Sequence, residues 1–192
     1  MQQPLIIPFP TPAGGVEIPY LPPLLGGLTG MTLMGVAGPP VTIEAWTYPD
    51  EIRDPPFWKA VTYPHEVQEA LRLTRTDTTV AASHIGVLMG GSALPPTLTA
   101  GGSLPVNLAA GQMMYALIVL DAPGTLTVTF DQDIQDANLN VLPAVDLRQT
   151  LASPTLEPGS VTVSGEAPAG TYYAEIYAVT AVAGGTLTLT VN

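Results

Sequence analysis

Residues 185–191 are Gly-Thr-Leu-Thr-Leu-Thr-Val, and this stretch decides the fold class. Leu187, Leu189 and Val191 alternate with threonines, so an extended chain places the apolar side chains on one face and the hydroxyls on the other. Strict alternation of aliphatic and β-branched residues is typical of a strand with one face in a core and one in water. The stretch therefore predicts a half-buried β-strand.

Similar runs continue through residues 81–192, at intervals of about 8–12 residues, with Gly, Pro, Asp and Asn between them. This spacing predicts a mainly-β fold with a single β-sandwich or jelly roll over residues 81–192. The predicted strands are Met113–Leu120, Thr125–Phe130, Asn138–Leu142, Ser160–Ser164, Thr171–Val179 and Thr186–Val191.

Two parts of this zone resemble one another. Residues 110–116 (AGQMMYA) are similar to residues 169–174 (AGTYYA), and each is followed by a strand, a turn and a Thr-rich strand. These Thr-rich strands are GTLTVT at 124–129 and GTLTLT at 185–190. Repeated hairpins suit a sandwich with pseudo-symmetric halves. The alternative is chance similarity in a chain rich in Thr, Gly and Ala.

Residues 1–43 are apolar but rich in Pro and Gly, and Glu17 is their one charge. Because proline fixes φ and lacks an N–H group, we expect an extended arm. Such an arm cannot bury its own apolar side chains, so it has to pack along its own domain or on a neighbouring subunit. The interface residues predicted here and in the next zone are Leu5, Ile6, Ile7, Phe9, Leu24, Leu25, Met31, Met34, Trp46, Phe57 and Trp58.

Residues 44–80 carry most of the mixed charge and a cluster of five aromatic side chains, and we expect them to bridge the arm and the sandwich. One short helix is predicted over about residues 64–75. Pro64 suits a first helical position, and Val67, Ala70 and Leu71 follow the i, i+3, i+4 spacing of a helix face.

Charge and composition exclude several classes of protein. The 192 residues include 5 Lys and Arg against 16 Asp and Glu, for a net charge of −11, which disfavours nucleic acid as a partner. The uncharged and apolar run at residues 18–43 is interrupted by prolines and glycines, so we expect no membrane span. Cysteine is absent, which excludes disulfides and thiolate chemistry.

The sharpest candidate for chemistry is an acidic loop. Asp131, Asp133 and Asp136 lie close together in sequence, and carboxylate oxygens suit a hard cation, so they form a candidate calcium site. The alternative is a solvated surface loop, because the spacing is not that of an EF-hand. No nucleophile motif or phosphate-binding loop accompanies His65 or His84, so we expect no enzyme and no other cofactor.

The C-terminal zone resembles the bacterial pre-peptidase C-terminal domain family. The resemblance lies in LAAGQMMYALIV (108–119), DANLNVL (136–142), PAGTYYAEIYAV (168–179) and GGTLTLTV (184–191). It implies a β-sandwich or jelly-roll module of the kind appended to secreted proteases and surface proteins. The family usually carries acidic residues in the second of these motifs, where this chain has Asn138 and Asn140 beside Asp136.

An apolar arm joined to a small acidic β-sandwich is typical of phage capsid, decoration and tail proteins. We therefore expect a non-catalytic virion structural protein, tethered by its arm to copies of itself or to other capsid or tail proteins. The alternative is a secreted or cell-surface module that binds glycan or protein, either with calcium in the Asp131–Asn140 region or without it.

Overall fold

The computed structural model describes residues 5–9, 16–18, 31–38, 41–47, 55–67, 70–75, 83–89 and 94–192. Within these residues, the regular secondary structure consists of β-strands alone. The described chain divides into two compact units, Pro4–Leu94 and Pro95–Asn192, and each contains a cluster of buried hydrophobic residues. The prediction of a mainly-β fold with a β-sandwich is therefore confirmed.

The N-terminal unit contains two antiparallel sheets. Its described strands are β1 (Leu5–Phe9), β2 (Val16–Ile18), β3 (Met31–Ala37), β4 (Val41–Thr47), β5 (Phe57–Ala60), β6 (His65–Glu66), β7 (Leu71–Arg75) and β8 (Ser83–Met89). One sheet has the order β1-β8-β3-β6 and the other β2-β7-β4-β5. Leu33 and Ile85 of the first sheet share a buried cluster with Ile43, Leu71 and Leu73 of the second, so the sheets pack face to face.

The C-terminal unit is a second sandwich, of a three-stranded and a five-stranded sheet. Its strands are β9 (Ser103–Leu108), β10 (Met113–Leu120), β11 (Gly124–Phe130), β12 (Ala137–Pro143), β13 (Thr155–Glu157), β14 (Ser160–Ala167), β15 (Gly170–Ala178) and β16 (Val182–Val191). The sheet orders are β10-β15-β12 and β13-β14-β11-β16-β9. Phe130 and Leu187 of the larger sheet lie in one buried cluster with Ala174 and Ile176 of the smaller.

The internal repeat corresponds to neighbouring strands. β10 pairs with β15, from Met113 opposite Tyr177 to Leu120 opposite Gly170. β11 pairs with β16 over Leu126–Phe130 in the same antiparallel sense. Each repeat therefore gives one strand to each sheet, and the equivalent strands lie side by side, as pseudo-symmetric halves require.

The outward face of the five-stranded sheet is covered with hydroxyl groups. Thr129 and Thr162 are hydrogen-bonded through their hydroxyls at 2.9 Å, and Thr127 and Ser164 at 2.7 Å. Cross-strand pairs of this kind stabilise a sheet while leaving its face wettable. One row crosses all five strands and consists of Thr155, Thr162, Thr129, Thr188 and Ser103.

The helix predicted over residues 64–75 is wrong. His65–Glu66 pairs with β3, and Leu71–Arg75 lies between β2 and β4. Leu71 and Leu73 are both fully buried and lie two residues apart, which is the period of a strand. An isolated helix of about 12 residues is marginal in water, so pairing on both sides of β7 and burial of its leucines outweigh the local helical spacing.

The boundaries predicted for arm, bridge and sandwich also differ from the structure. Residues 5–43 supply β1, β2, β3 and the start of β4, and they are paired with β7 and β8 from residues 71–89. Residues 83–89, which we assigned to the C-terminal sandwich, belong to the N-terminal unit. The physical reason is long-range strand pairing, which local composition does not reveal.

No helix among the described residues is long and apolar enough to cross a membrane.

Candidate interaction surface

Two tryptophans lie side by side on the outward face of the sheet β2-β7-β4-β5. Ile43 and Ala45 on β4 are buried in the core, so the alternation of the strand turns Trp46 outward. Trp46 lies opposite Trp58 on β5, with the ring centroids 5.1 Å apart and the ring planes tilted by 60°. Both residues are partly buried, so some aromatic surface of each remains accessible.

An ion pair fixes a guanidinium group over this aromatic pair. Nε and Nη2 of Arg72 lie 2.8 Å and 2.6 Å from Oε2 of Glu44, its register partner on β4. The guanidinium carbon is 4.8 Å from the centroid of the Trp58 ring. The next residue in the row is Ala60, whose small side chain leaves Arg72 room to reach across the sheet. We call Glu44, Trp46, Trp58 and Arg72 the tryptophan face.

The chemistry of the tryptophan face suits docking of another macromolecule. Tryptophan and arginine are the residue types that most often dominate the energy of protein interfaces. Because Glu44 already holds Arg72, less side-chain freedom is lost when a partner binds. Phe57, beside Trp58 on β5, is 46% exposed but lies on the opposite face of the sheet, because side chains alternate along a strand. Of the predicted interface residues, the structure thus brings Trp46 and Trp58 together on one face and places Phe57 on the other.

The structure places the other predicted interface residues differently. Met31 and Met34 are buried within β3, at 1% and 0% exposure, and Met31 belongs to the cluster between the two sheets. Neither methionine is accessible to a neighbouring subunit in this conformation, which corrects their assignment. Leu5, Ile6, Ile7 and Phe9 lie on the edge strand β1, and Leu24 and Leu25 lie outside the described residues.

The acidic loop does not gather its carboxylates. Oδ1 of Asp131 accepts from the Thr186 backbone N–H, and Oδ1 of Asp133 from the Gly159 backbone N–H at 2.8 Å. Oδ1 of Asp136 accepts from the Thr180 hydroxyl at 2.8 Å. No group of three or more potential metal-ligating side chains forms among the residues that the structure describes. The three aspartates tie the loop to three different segments, so the candidate calcium site on them is not assembled.

A polar row that sequence analysis missed crosses the three-stranded sheet. The Tyr115 hydroxyl donates to Oε2 of Glu175 at 2.6 Å, and the Asn140 amide donates to Oε1 at 3.0 Å. Burial, together with the hydrogen bond and charge of Glu175, raises the pKa of Tyr115 above its ordinary value. The signal for Glu175 was present in β15, where Ala174 and Ile176 face the core on either side of it.

Tyr63 leads to a pH prediction. Burial raises the pKa of Tyr63 from 10.0 to about 12. Between pH 10 and 12 the unfolded chain ionises this phenol while the folded chain keeps it protonated, so the contribution of Tyr63 to stability is constant below pH 10 and falls above it. We expect a loss of about 2 kcal/mol from this group by pH 12. Urea titrations at pH 9 and 11.5 measure the fall, and Tyr63→Phe should reduce it; an equal fall in that variant would contradict the assignment.

Comparisons with known proteins show a structural likeness but no family. No protein-family model matches the chain, and no curated protein matches it. Among solved structures, the chain is similar to the pre-peptidase C-terminal domain of collagenase from Bacillus anthracis. The two are 12% identical with a TM-score of 0.45, and the match covers 53% of this chain and 97% of that domain. At this level of similarity, the comparison assigns this chain neither a family nor a function.

Proposed function

We propose that this protein is a non-catalytic structural component of a virion: a capsid decoration, minor capsid or head–tail protein. Its N-terminal unit would attach it to copies of itself or to other capsid or tail proteins. The tryptophan face is the observation that carries the proposal. There, two partly exposed indoles and an arginine held by Glu44 lie together on one face of a sheet.

The charges of the two units support attachment through the N-terminal unit. Residues 95–192 contain 8 Asp and Glu against the single Arg148, a net charge of −7. A strongly acidic unit repels nucleic acid and stays soluble when many copies are held close together. The N-terminal unit is less acidic, with 8 Asp and Glu against 4 Lys and Arg, a net charge of −4. We therefore place the attachment on the N-terminal unit and the solvated surface on the C-terminal unit.

The test is assembly of the full-length chain. Trp58→Ala removes the ring that contacts both Trp46 and Arg72, and we expect it to weaken self-association or binding to a capsid protein by about 30-fold, or about 2 kcal/mol. Sedimentation equilibrium measures self-association, and electron microscopy shows whether the chain forms regular particles or decorates them. Tyr177→Ala, at an exposed tyrosine of the C-terminal unit, is the matched control. Equal assembly of Trp58→Ala and the native chain would contradict the proposal.

A second candidate function rests on the three-stranded sheet. Tyr177 is 38% exposed and lies opposite Asn138, two residues from the carboxylate that Tyr115 and Asn140 hold in place. An accessible phenol ring beside an amide and a carboxylate suits a glycan or a peptide, as expected of a secreted or cell-surface module. A native chain that stays monomeric and loses glycan binding on Tyr177→Ala would favour this function over the virion role.

A further inference from the structure

We propose that β1 and β2 of one chain complete the two N-terminal sheets of a second copy, so that neighbouring copies are linked by strand exchange. The inference rests on the proposed function and deepens it. It names the partner, another copy of this chain, and the segment that joins the two copies.

Each of these two strands lies at the edge of its sheet. β1 is the outermost strand of one sheet and pairs with β8, while β2 is the outermost strand of the other and pairs with β7. The first strands of the chain thus occupy one edge of each sheet. An exposed strand edge is satisfied equally well by the same segment of another chain, because the main-chain hydrogen bonds and the register are identical.

A proline in β1 limits how this strand can pair. Pro8 lies opposite His84 in the register. Because proline has no N–H group to donate to β8, we infer that this pair is of the non-hydrogen-bonded kind, in which the backbone N–H positions point away from the partner strand. The outer edge of β1 therefore lacks a hydrogen-bond donor at Pro8 with which a further strand could pair. β1 is therefore suited to pair on one side and to end the sheet on the other. That property makes it a terminating strand and stops the linkage from continuing through uncontrolled edge pairing.

The link between β2 and β3 is long enough to reach a second copy of the chain. Twelve residues separate Ile18 from Met31, a length that spans about 40 Å when extended. β2 lies beside β7 and places Glu17 opposite Arg72, so an incoming β2 adjoins the tryptophan face. One neighbour would therefore contribute the edge strand next to β7, the strand that carries Arg72 of the tryptophan face. Copies held side by side in a particle are at high local concentration, which favours exchange over closure within one chain.

The experiment uses disulfide trapping in a full-length chain that has no cysteine of its own. Non-hydrogen-bonded partners have the Cα separation that a disulfide needs, so Pro8→Cys and His84→Cys form the test pair. Replacing His84 by cysteine removes no hydrogen bond from Nδ1, because this buried atom has no hydrogen-bond partner among the described residues. The two single variants are co-expressed with different tags and oxidised, and the double variant is oxidised separately. Glu17→Cys with Arg72→Cys repeats the test on β2 if the first pair perturbs folding.

Strand exchange predicts a covalent dimer carrying both tags from the co-expressed single variants, and a ladder of linked chains from the double variant. Pro8→Cys co-expressed with Thr190→Cys, an exposed position in the C-terminal unit, measures chance collision and should give at least tenfold less dimer. A disulfide closed within single chains, or no disulfide in either pair, would overturn the inference. If the native chain still sediments as an oligomer in that case, the proposed function stands without strand exchange. A monomeric native chain would count against both.

Discussion

Replacing Phe130 by alanine is expected to destabilise the C-terminal unit by about 3–5 kcal/mol. Phe130 is fully buried and belongs to the cluster formed by both sheets of that unit. A Cβ atom placed on Gly185 would lie only 2.9 Å from Cε2 of the Phe130 ring, so the ring is packed directly against the backbone of β16. The truncation therefore leaves a cavity that the neighbouring strand cannot easily fill.

The tyrosine near-ultraviolet circular dichroism signal reports this change, because residues 95–192 contain four of the seven tyrosines and neither tryptophan. Guanidinium titrations of Phe130→Ala should show the loss in that signal. Thr190→Ala, at an exposed position on β16, is the control and should change stability by less than about 0.5 kcal/mol. A loss below about 1 kcal/mol for Phe130→Ala would contradict the packing described here.

Leu73→Ala is expected to destabilise the N-terminal unit by about 2–5 kcal/mol, because Leu73 is fully buried between the two sheets. The substitution also separates the strand from the helix that the sequence predicts. On a helix with Val67, Ala70 and Leu71 on its apolar face, residue 74 would be buried and residue 73 would not. On a strand, Leu73 faces the core and Thr74 faces away from it.

Thr74→Ala is therefore the matched control, with an expected change below about 1 kcal/mol. Tryptophan fluorescence measures both variants, since Trp46 and Trp58 both lie in the N-terminal unit. A large loss for Thr74→Ala with a small one for Leu73→Ala would support the helix and contradict the strand β7.

The C-terminal strands were predictable because they alternate strictly. All six predicted there are present, and their limits agree within a few residues. β9 and β13 were missed because Pro105 interrupts the first and the second has only three exposed residues. The pair Gly184-Gly185 also has a structural reason. Gly184 has a φ of +74°, and Gly185 lies against Phe130, at the point where the register of β16 shifts.

The N-terminal unit and the candidate sites were less accessible to sequence analysis. Glu44 and Arg72 are 28 residues apart and become partners only because β4 and β7 pair. Asp131, Asp133 and Asp136 are close in sequence, yet each carboxylate turns to a different backbone or hydroxyl donor. Proximity in sequence thus failed to predict a shared ligand site, because the nearest donors on neighbouring segments decide where each carboxylate points.

The sequence by itself determined the β class of the fold, six of the eight strands of the C-terminal sandwich and the internal repeat within it. Those features depend on the alternation of apolar and polar residues along one strand, which is a local property. Only the tertiary structure decided that residues 5–89 form a unit of their own, that residues 71–75 are a strand, and that an arginine lies over a tryptophan pair. These features depend on which distant strands pair and on what that pairing buries, and no local pattern encodes that choice.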